Sequence, residues 1–236
     1  MSRSHRAELL LFVGLAGCAS AAPDAGTNRL ALGNLSTALP VVSMYERRFA
    51  TVVRQQYDFS CGSAALATLL TYHYARPIDE QATFTGMFRT GDQAAIRRLG
   101  FSLLDMKRYL ADSGFKADGY QVTLTQIAAA RQPGIALIET GGYKHFVVLK
   151  GIEPGLGGDS VLLGDPATGL RRMNAAAFLK SWNGVLFVID AGGAAVQASF
   201  ARPTELALAP GGQITQQLEP LSQQALALTR PTLGDL

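Results

Sequence analysis

The sequence predicts an α+β domain, with helices early in the chain and an antiparallel sheet after them. Three observations predict it. Apolar residues recur at helical spacing after Cys61, short apolar strand patterns dominate residues 134–189, and a Pro/Gly-rich segment joins two of those strands as a hairpin. The 236 residues, 48% hydrophobic and 17% charged, suffice for one sizeable core with tails and are cramped for two domains. That composition excludes a disordered, collagen-like or coiled-coil chain. Two cysteines exclude a disulfide scaffold, and two cysteines with three histidines exclude a Cys-rich zinc module. The net charge of +3 is scattered, and no Lys/Arg-rich stretch offers a nucleic-acid footprint.

Residues 1–22 read as a secretory signal peptide. Arg3 and Arg6 make a basic start, residues 9–17 a short apolar stretch, and small residues follow to Ala22. Leu15-Ala16-Gly17-Cys18 resembles the bacterial lipoprotein box, in which Cys18 would be acylated; cleavage after Ala19-Ser20-Ala21 is the alternative. Both readings place the chain in the periplasm, with a membrane link only through a lipid at Cys18. Residues 23–50 read as a linker leading to an opening strand over 51–53, residues 51–190 as the folded domain, and residues 191–236 as a proline-interrupted tail of unknown role.

Within the domain, Gly62, Ala65, Leu66, Leu69 and Leu70 form one helical stripe, with Asp58 or Ser60 able to cap its start. Ser102-Leu103-Leu104-Asp105 approximates a capping box for a helix stopping at Gly114, and Thr123-Leu124-Thr125-Gln126 repeats the device before Pro133. Strands are expected at 134–138, 146–152, 161–164 and 185–189, and a last helix over 174–182. Asp79/Glu80 and Arg97/Arg98 read as solvated helix faces.

Once residues 1–22 are removed or acylated, Cys61 is the only thiol left in a compartment that oxidises pairs. It is inert, an intermolecular half-cystine, or a nucleophile. Its place at the first turn of a helix favours the attacking thiolate, and Gly62 would let a substrate backbone approach. A nucleophile needs a base, a group to hold that base, and oxyanion donors. His73 continues the apolar stripe three turns away on the same helix, so it reads as a packed histidine. His145 meets a strand start after Gly141-Gly142. A hairpin turning near Gly155 sets His145 opposite Asp165, with Cβ atoms about 4.5–5.5 Å apart, and Pro166 keeps Asp165 extended. Gln55 can supply a side-chain donor beside the Cys61 N–H, with Gln56 as the competing choice.

Gln55, Cys61-Gly62, His145-Phe146-Val147-Val148, Gly164-Asp165-Pro166 and Trp182-Asn183-Gly184 together resemble the C39 cysteine peptidases, the double-glycine leader peptidases of bacteriocin export. The likeness covers residues 52–190. It implies a papain-like fold, catalytic roles for Cys61, His145 and Asp165, an oxyanion role for Gln55, and no metal or organic cofactor. Ser60 stands where the family commonly has Asp, and no Gly-Lys pair is present to form an exporter's phosphate loop. The run from Ile96 to Leu110 is most similar to the stand-alone members encoded with bacterial functional-amyloid (Fap) secretion systems. The implied activity is an exported cysteine endopeptidase that cuts a secreted polypeptide after small, Gly-Gly-like residues, with amyloid-secretion components as partners. The rival class is a client-binding module that keeps the fold without cutting.

Overall fold

The computed structural model describes residues 27–32, 35–40, 43–57, 59–155, 158–190 and 193–210. The signal segment, Cys18 and Asp58 lie outside these residues. The chain forms two compact units, residues 1–42 and 43–236.

In the first unit, β1 (Thr27–Leu32) pairs antiparallel with β2 (Leu35–Pro40), Leu32 opposite Leu35. The expected linker over 23–50 is thereby corrected. Its Gly33-Asn34 pair is a two-residue hairpin signal. The second unit begins at Ser43, which with Glu46 closes a capping box on the short helix α1 (Met44–Arg48). The opening strand expected at 51–53 is a turn and bend.

In the second unit, α2 (Cys61–His73) is the central element. Every residue from Cys61 to Leu70 is buried, so the sequence stripe is one side of a helix enclosed all round. Helices α3 (Glu80–Thr90), α4 (Gln93–Leu99) and α5 (Leu103–Asp112) follow, and α5 carries the expected Ser102–Asp105 capping box. After β3 (Ala117–Gln121), α6 (Leu124–Ala130) begins on the Thr123–Gln126 box and ends at Arg131, two residues before Pro133. The rest is β4 (Gly134–Thr140), β5 (Tyr143–Glu153), β6 (Ser160–Asp165), β7 (Gly169–Asn174), α7 (Ala175–Ser181) and β8 (Trp182–Ile189).

The sheet runs β3-β8-β4-β5-β6-β7, and every neighbouring pair is antiparallel. One face packs on α2 and α5, with α3 behind them and Leu66, Leu69, Met106, Phe146, Val148 and Phe187 in a single core. The other face holds Val147, Leu149, Leu163, Phe178, Trp182 and Phe200. Phe146 and Val148 thus point to one side while Val147 and Leu149 point to the other, as the strand period requires.

The segment expected to be a tail does not begin at residue 191. Helices α8 (Ala194–Ala198) and α9 (Pro203–Leu208) fold onto the body, burying Val196, Phe200, Glu205 and Ala209. Pro203 sits at the start of α9, where its missing N–H has no intrahelical acceptor to lose. A proline that looks like an interruption is there a helix start.

Candidate active site

Cys61 opens α2, where backbone N–H groups have no intrahelical acceptor. Ser60 holds the N-cap position but makes no side-chain cap bond. Its hydroxyl instead donates to the carboxylate of Glu80, with the Tyr57 carbonyl as a second acceptor in reach. Glu80 also accepts from the Gln56 N–H at 2.9 Å and is 2% exposed. The solvated face expected for Glu80 is corrected: this carboxylate anchors the loop leading into the nucleophile. Gly62 is corrected too. A Cβ there would meet Met106 Cε and Phe101 Cβ at 3.0 Å, so its bareness serves helix packing and not substrate approach.

His145 is the third residue of β5, and its Nε2 lies 2.8 Å from Asp165 Oδ1 at the end of β6. The two are not directly opposed. Val148 faces Gly164, so continuing the register puts Asp165 across from Val147 and leaves His145 two residues further along. The contact is a diagonal one on the same face, within reach of an imidazole. Asp165 Oδ1 also accepts from the N–H groups of Ala167 at 2.9 Å and Thr168 at 3.3 Å, and Oδ2 accepts from Arg171 Nε at 2.9 Å.

Burial alone would raise the Asp165 pKa. The His145 hydrogen bond and charge, the Ala167 N–H and Arg171 outweigh it and hold the carboxyl well below the ordinary range. Burial likewise works against a charged His145, yet hydrogen bonding and charge from Asp165 and Cys61 lift it from 6.5 to about 9. Nδ1 is buried and makes no hydrogen bond, while Cys61 is near enough to the ring to add to the rise. With Nε2 committed to Asp165, Nδ1 is the nitrogen free to exchange a proton with Cys61.

Gln55 is tied to this cluster by its backbone, whose N–H donates to Pro166 O at 3.0 Å. Its Nε2 donates to Tyr57 O at 3.2 Å, and its Oε1 is buried without a partner. The Gln56 side chain is exposed. The structure therefore sets Gln55, of the two glutamines, beside Asp165-Pro166.

His73 stands apart from the site. It is buried, with Nδ1 2.6 Å from the Ser199 hydroxyl. That hydroxyl donates to Val196 O, so it accepts from His73 and fixes the proton on Nδ1. Among the described residues no group of three or more His, Cys, Asp or Glu side chains is placed to hold a metal ion.

A profile of the "Peptidase C39 family" matches residues 50–192. The chain belongs to the peptidase C39 family. Two curated relatives are both named "Probable functional amyloid protease FapD". The chain is 47% identical to the Pseudomonas aeruginosa protein and 44% identical to the Pseudomonas fluorescens one, each over 149 residues and 63% of this chain. It spans 64% of the length of each. Among solved structures, it is similar to a double glycine motif protease from an AMS/PCAT transporter in complex with its leader peptide. That match has 24% identity and TM-score 0.46, covering 58% of this chain and 89% of the other. The peptidase domain of Streptococcus ComA, a bi-functional ABC transporter of quorum sensing, is 20% identical with TM-score 0.47, covering 59% of this chain and 96% of that one.

Cys61, His145 and Asp165 all lie within the matched residues 50–192. Glu80 and Arg171 escape a sequence reading, since a charged residue on a helix or an outer strand looks solvated until its packing is seen.

Proposed function

We propose that this C39 member is a cysteine endopeptidase acting on an exported polypeptide in functional-amyloid secretion. The observation that carries the reading is the 2.8 Å contact of His145 Nε2 with Asp165, which lifts the His145 pKa with Cys61 adding to the rise. In this reading the Cys61 thiol gives its proton to His145 Nδ1, and the sulfur attacks the scissile carbonyl. Asp165, itself fixed by Ala167, Thr168 and Arg171, keeps the Nε2–H in place and stabilises the imidazolium. The tetrahedral oxyanion is met by the Cys61 N–H and by Gln55 Nε2, which must leave Tyr57 O to do so. His145 returns the proton to the leaving amine, and water then hydrolyses the thioester with His145 as base.

Family membership supports a substrate with small, Gly-Gly-like residues before the cut. The names of the two Pseudomonas relatives support an amyloid-secretion client. The basic and apolar start of residues 1–22 supports export, with Cys18 as the lipid attachment point. Exposed Tyr57 and Phe59, packed on Phe84 beside the nucleophile, supply an apolar surface for the client.

The test incubates wild type and Cys61→Ala with candidate exported proteins and reads new termini by mass spectrometry. Cleavage after small residues is expected from the wild type alone. Client binding without any cleavage would favour the binding-module reading, and cleavage by Cys61→Ala would sink the mechanism.

A further inference from the structure

The hairpin that carries His145 and Asp165 changes register part-way along, and the change decides whether the two share a face. Starting from its turn, the hairpin pairs Glu153 with Ser160, Ile152 with Val161 and Gly151 with Leu162. Continued unbroken, that register would set Asp165 opposite Val148. Side chains alternate faces along a strand, so His145 would then point away from Asp165. Lys150 prevents this by being an extra residue: Leu149 pairs with Leu163, and Val148 with Gly164. Asp165 thereby falls across from Val147, which shares a face with His145.

A bulge leaves its extra residue without a ladder partner, and here the C-terminal segment supplies one. The Ala201 N–H donates to Lys150 O at 2.8 Å. Lys150 Nζ forms a 2.8 Å ion pair with Glu205 of α9, and both side chains are fully buried. The ammonium also donates to Thr51 O at 2.8 Å and lies 5.3 Å from the centre of the Tyr72 ring. Gly151 permits the close approach, because a Cβ there would stand 2.8 Å from Ala201 Cα. Burial, joined by Arg202, lowers the Lys150 pKa to about 8 against the pull of Glu205. Without Glu205, Lys150 would be a buried charge lacking its counter-ion, which is strongly unfavourable.

We propose that the α8–α9 segment is a register lock, in which Glu205 and the Ala201 N–H hold Lys150 in the β5 bulge and so keep His145 in phase with Asp165. Lys150 and Glu205 are positioning residues: they act through the strand and touch neither the sulfur nor the substrate. The inference rests on the reading of His145 and Asp165 as the working pair. The family match ends at residue 192, before Ala201 and Glu205, so the lock lies outside the part of the chain that carries the resemblance.

The test uses the full chain with Glu205→Gln and, separately, Gly151→Ala. Histidine ring signals are followed by NMR across pH without substrate, and peptide cleavage is measured in parallel. Each folded variant is expected to titrate His145 below the wild-type value of about 9, toward 6.5, and to lose about 10²-fold in kcat/KM, as a misplaced reacting group does. Gly151→Ala leaves every charge in place, so a fall there assigns the effect to register; it also decides the matter if Glu205→Gln fails to fold. A folded variant with His145 titrating as in wild type would overturn the lock. A wild type that cleaves nothing would instead overturn the peptidase reading, because the titration needs no substrate.

Discussion

His145 is held at Nε2 by the Asp165 carboxylate, with Cys61 also acting on the ring, and together these neighbours set the pH at which it loses its proton. Burial favours the neutral ring but is outweighed, so the imidazolium persists to about 9. If the reactive form needs that imidazolium, activity is retained below this pH and falls as pH rises through it. The kcat/KM profile of the wild type is expected to show its alkaline limb at about 9. Asp165→Asn removes the charge that lifts the ring, so the limb should move to lower pH and kcat should fall by about 10²-fold or more. An unchanged limb in a folded Asp165→Asn protein would show that the carboxylate does not govern the ring. Gln55→Ala should lower kcat by about 10²–10³-fold, while Gln56→Ala, whose side chain is exposed, should stay near wild type. Much of this is legible at residue scale because the chain is poor in thiols and imidazoles: one cysteine and two histidines remain outside the signal segment. What hides is the support around them. Neither the burial of Glu80 nor the grip of Arg171 on Asp165 leaves a local pattern.

Helix α2 presents the nucleophile at one end and hides a titratable ring at the other. His73 is 4% exposed, and burial, with Lys150 and Arg202 nearby, lowers its pKa from 6.5 to about 2. The unfolded chain therefore binds a proton below 6.5 that the native ring refuses, so stability falls as pH drops from 6.5. One such proton accounts for up to about 1.4 kcal/mol per pH unit. Near 6.5 the raised His145 opposes this slope, and about one pH unit lower it is protonated in both states and adds none. Denaturant unfolding at a series of pH values above the carboxylate range should show a shallower acid loss in His73→Gln than in wild type. Equal slopes would mean that the ring is not shielded as the packing indicates. Elements with paired local signals, such as the Ser102–Asp105 and Thr123–Gln126 boxes, are legible in the sequence. Strand β3 is not: it is a sheet edge with four of five residues exposed, so no apolar alternation marks it. The hairpin of β5 and β6 is legible, but its bulge is not. Lys150 reads as an ordinary polar strand residue until Glu205 is seen beside it, and that is why the His145–Asp165 register is offset from a direct opposition.

For the whole molecule, both faces of the sheet must be covered, and the domain draws part of that cover from the end of the described chain. Phe200 lies in the core beside Val147, Leu149 and Phe178, and Ala209 packs with Val52, Leu162 and Leu170. Ser199 satisfies His73, and Glu205 neutralises Lys150. None of this is visible in an Ala/Gly/Gln/Leu-rich segment punctuated by prolines, where the contacts that matter join residues far apart in the chain, His73 and Ser199 by 126 positions. A chain ended at residue 192 would keep the whole family-matched region yet lose a buried phenylalanine, worth about 3–5 kcal/mol, and expose a buried lysine to the loss of its only carboxylate partner among the described residues, again about 3–5 kcal/mol. Against a typical domain stability of about 5–15 kcal/mol, the shortened chain should unfold at a much lower urea midpoint or show no cooperative transition. Phe200→Ala in the full chain isolates the packing share and should lower the midpoint without abolishing the transition. If the chain ended at 192 unfolds at the wild-type midpoint, the α8–α9 segment is a passenger, and Lys150 must find its charge balance elsewhere.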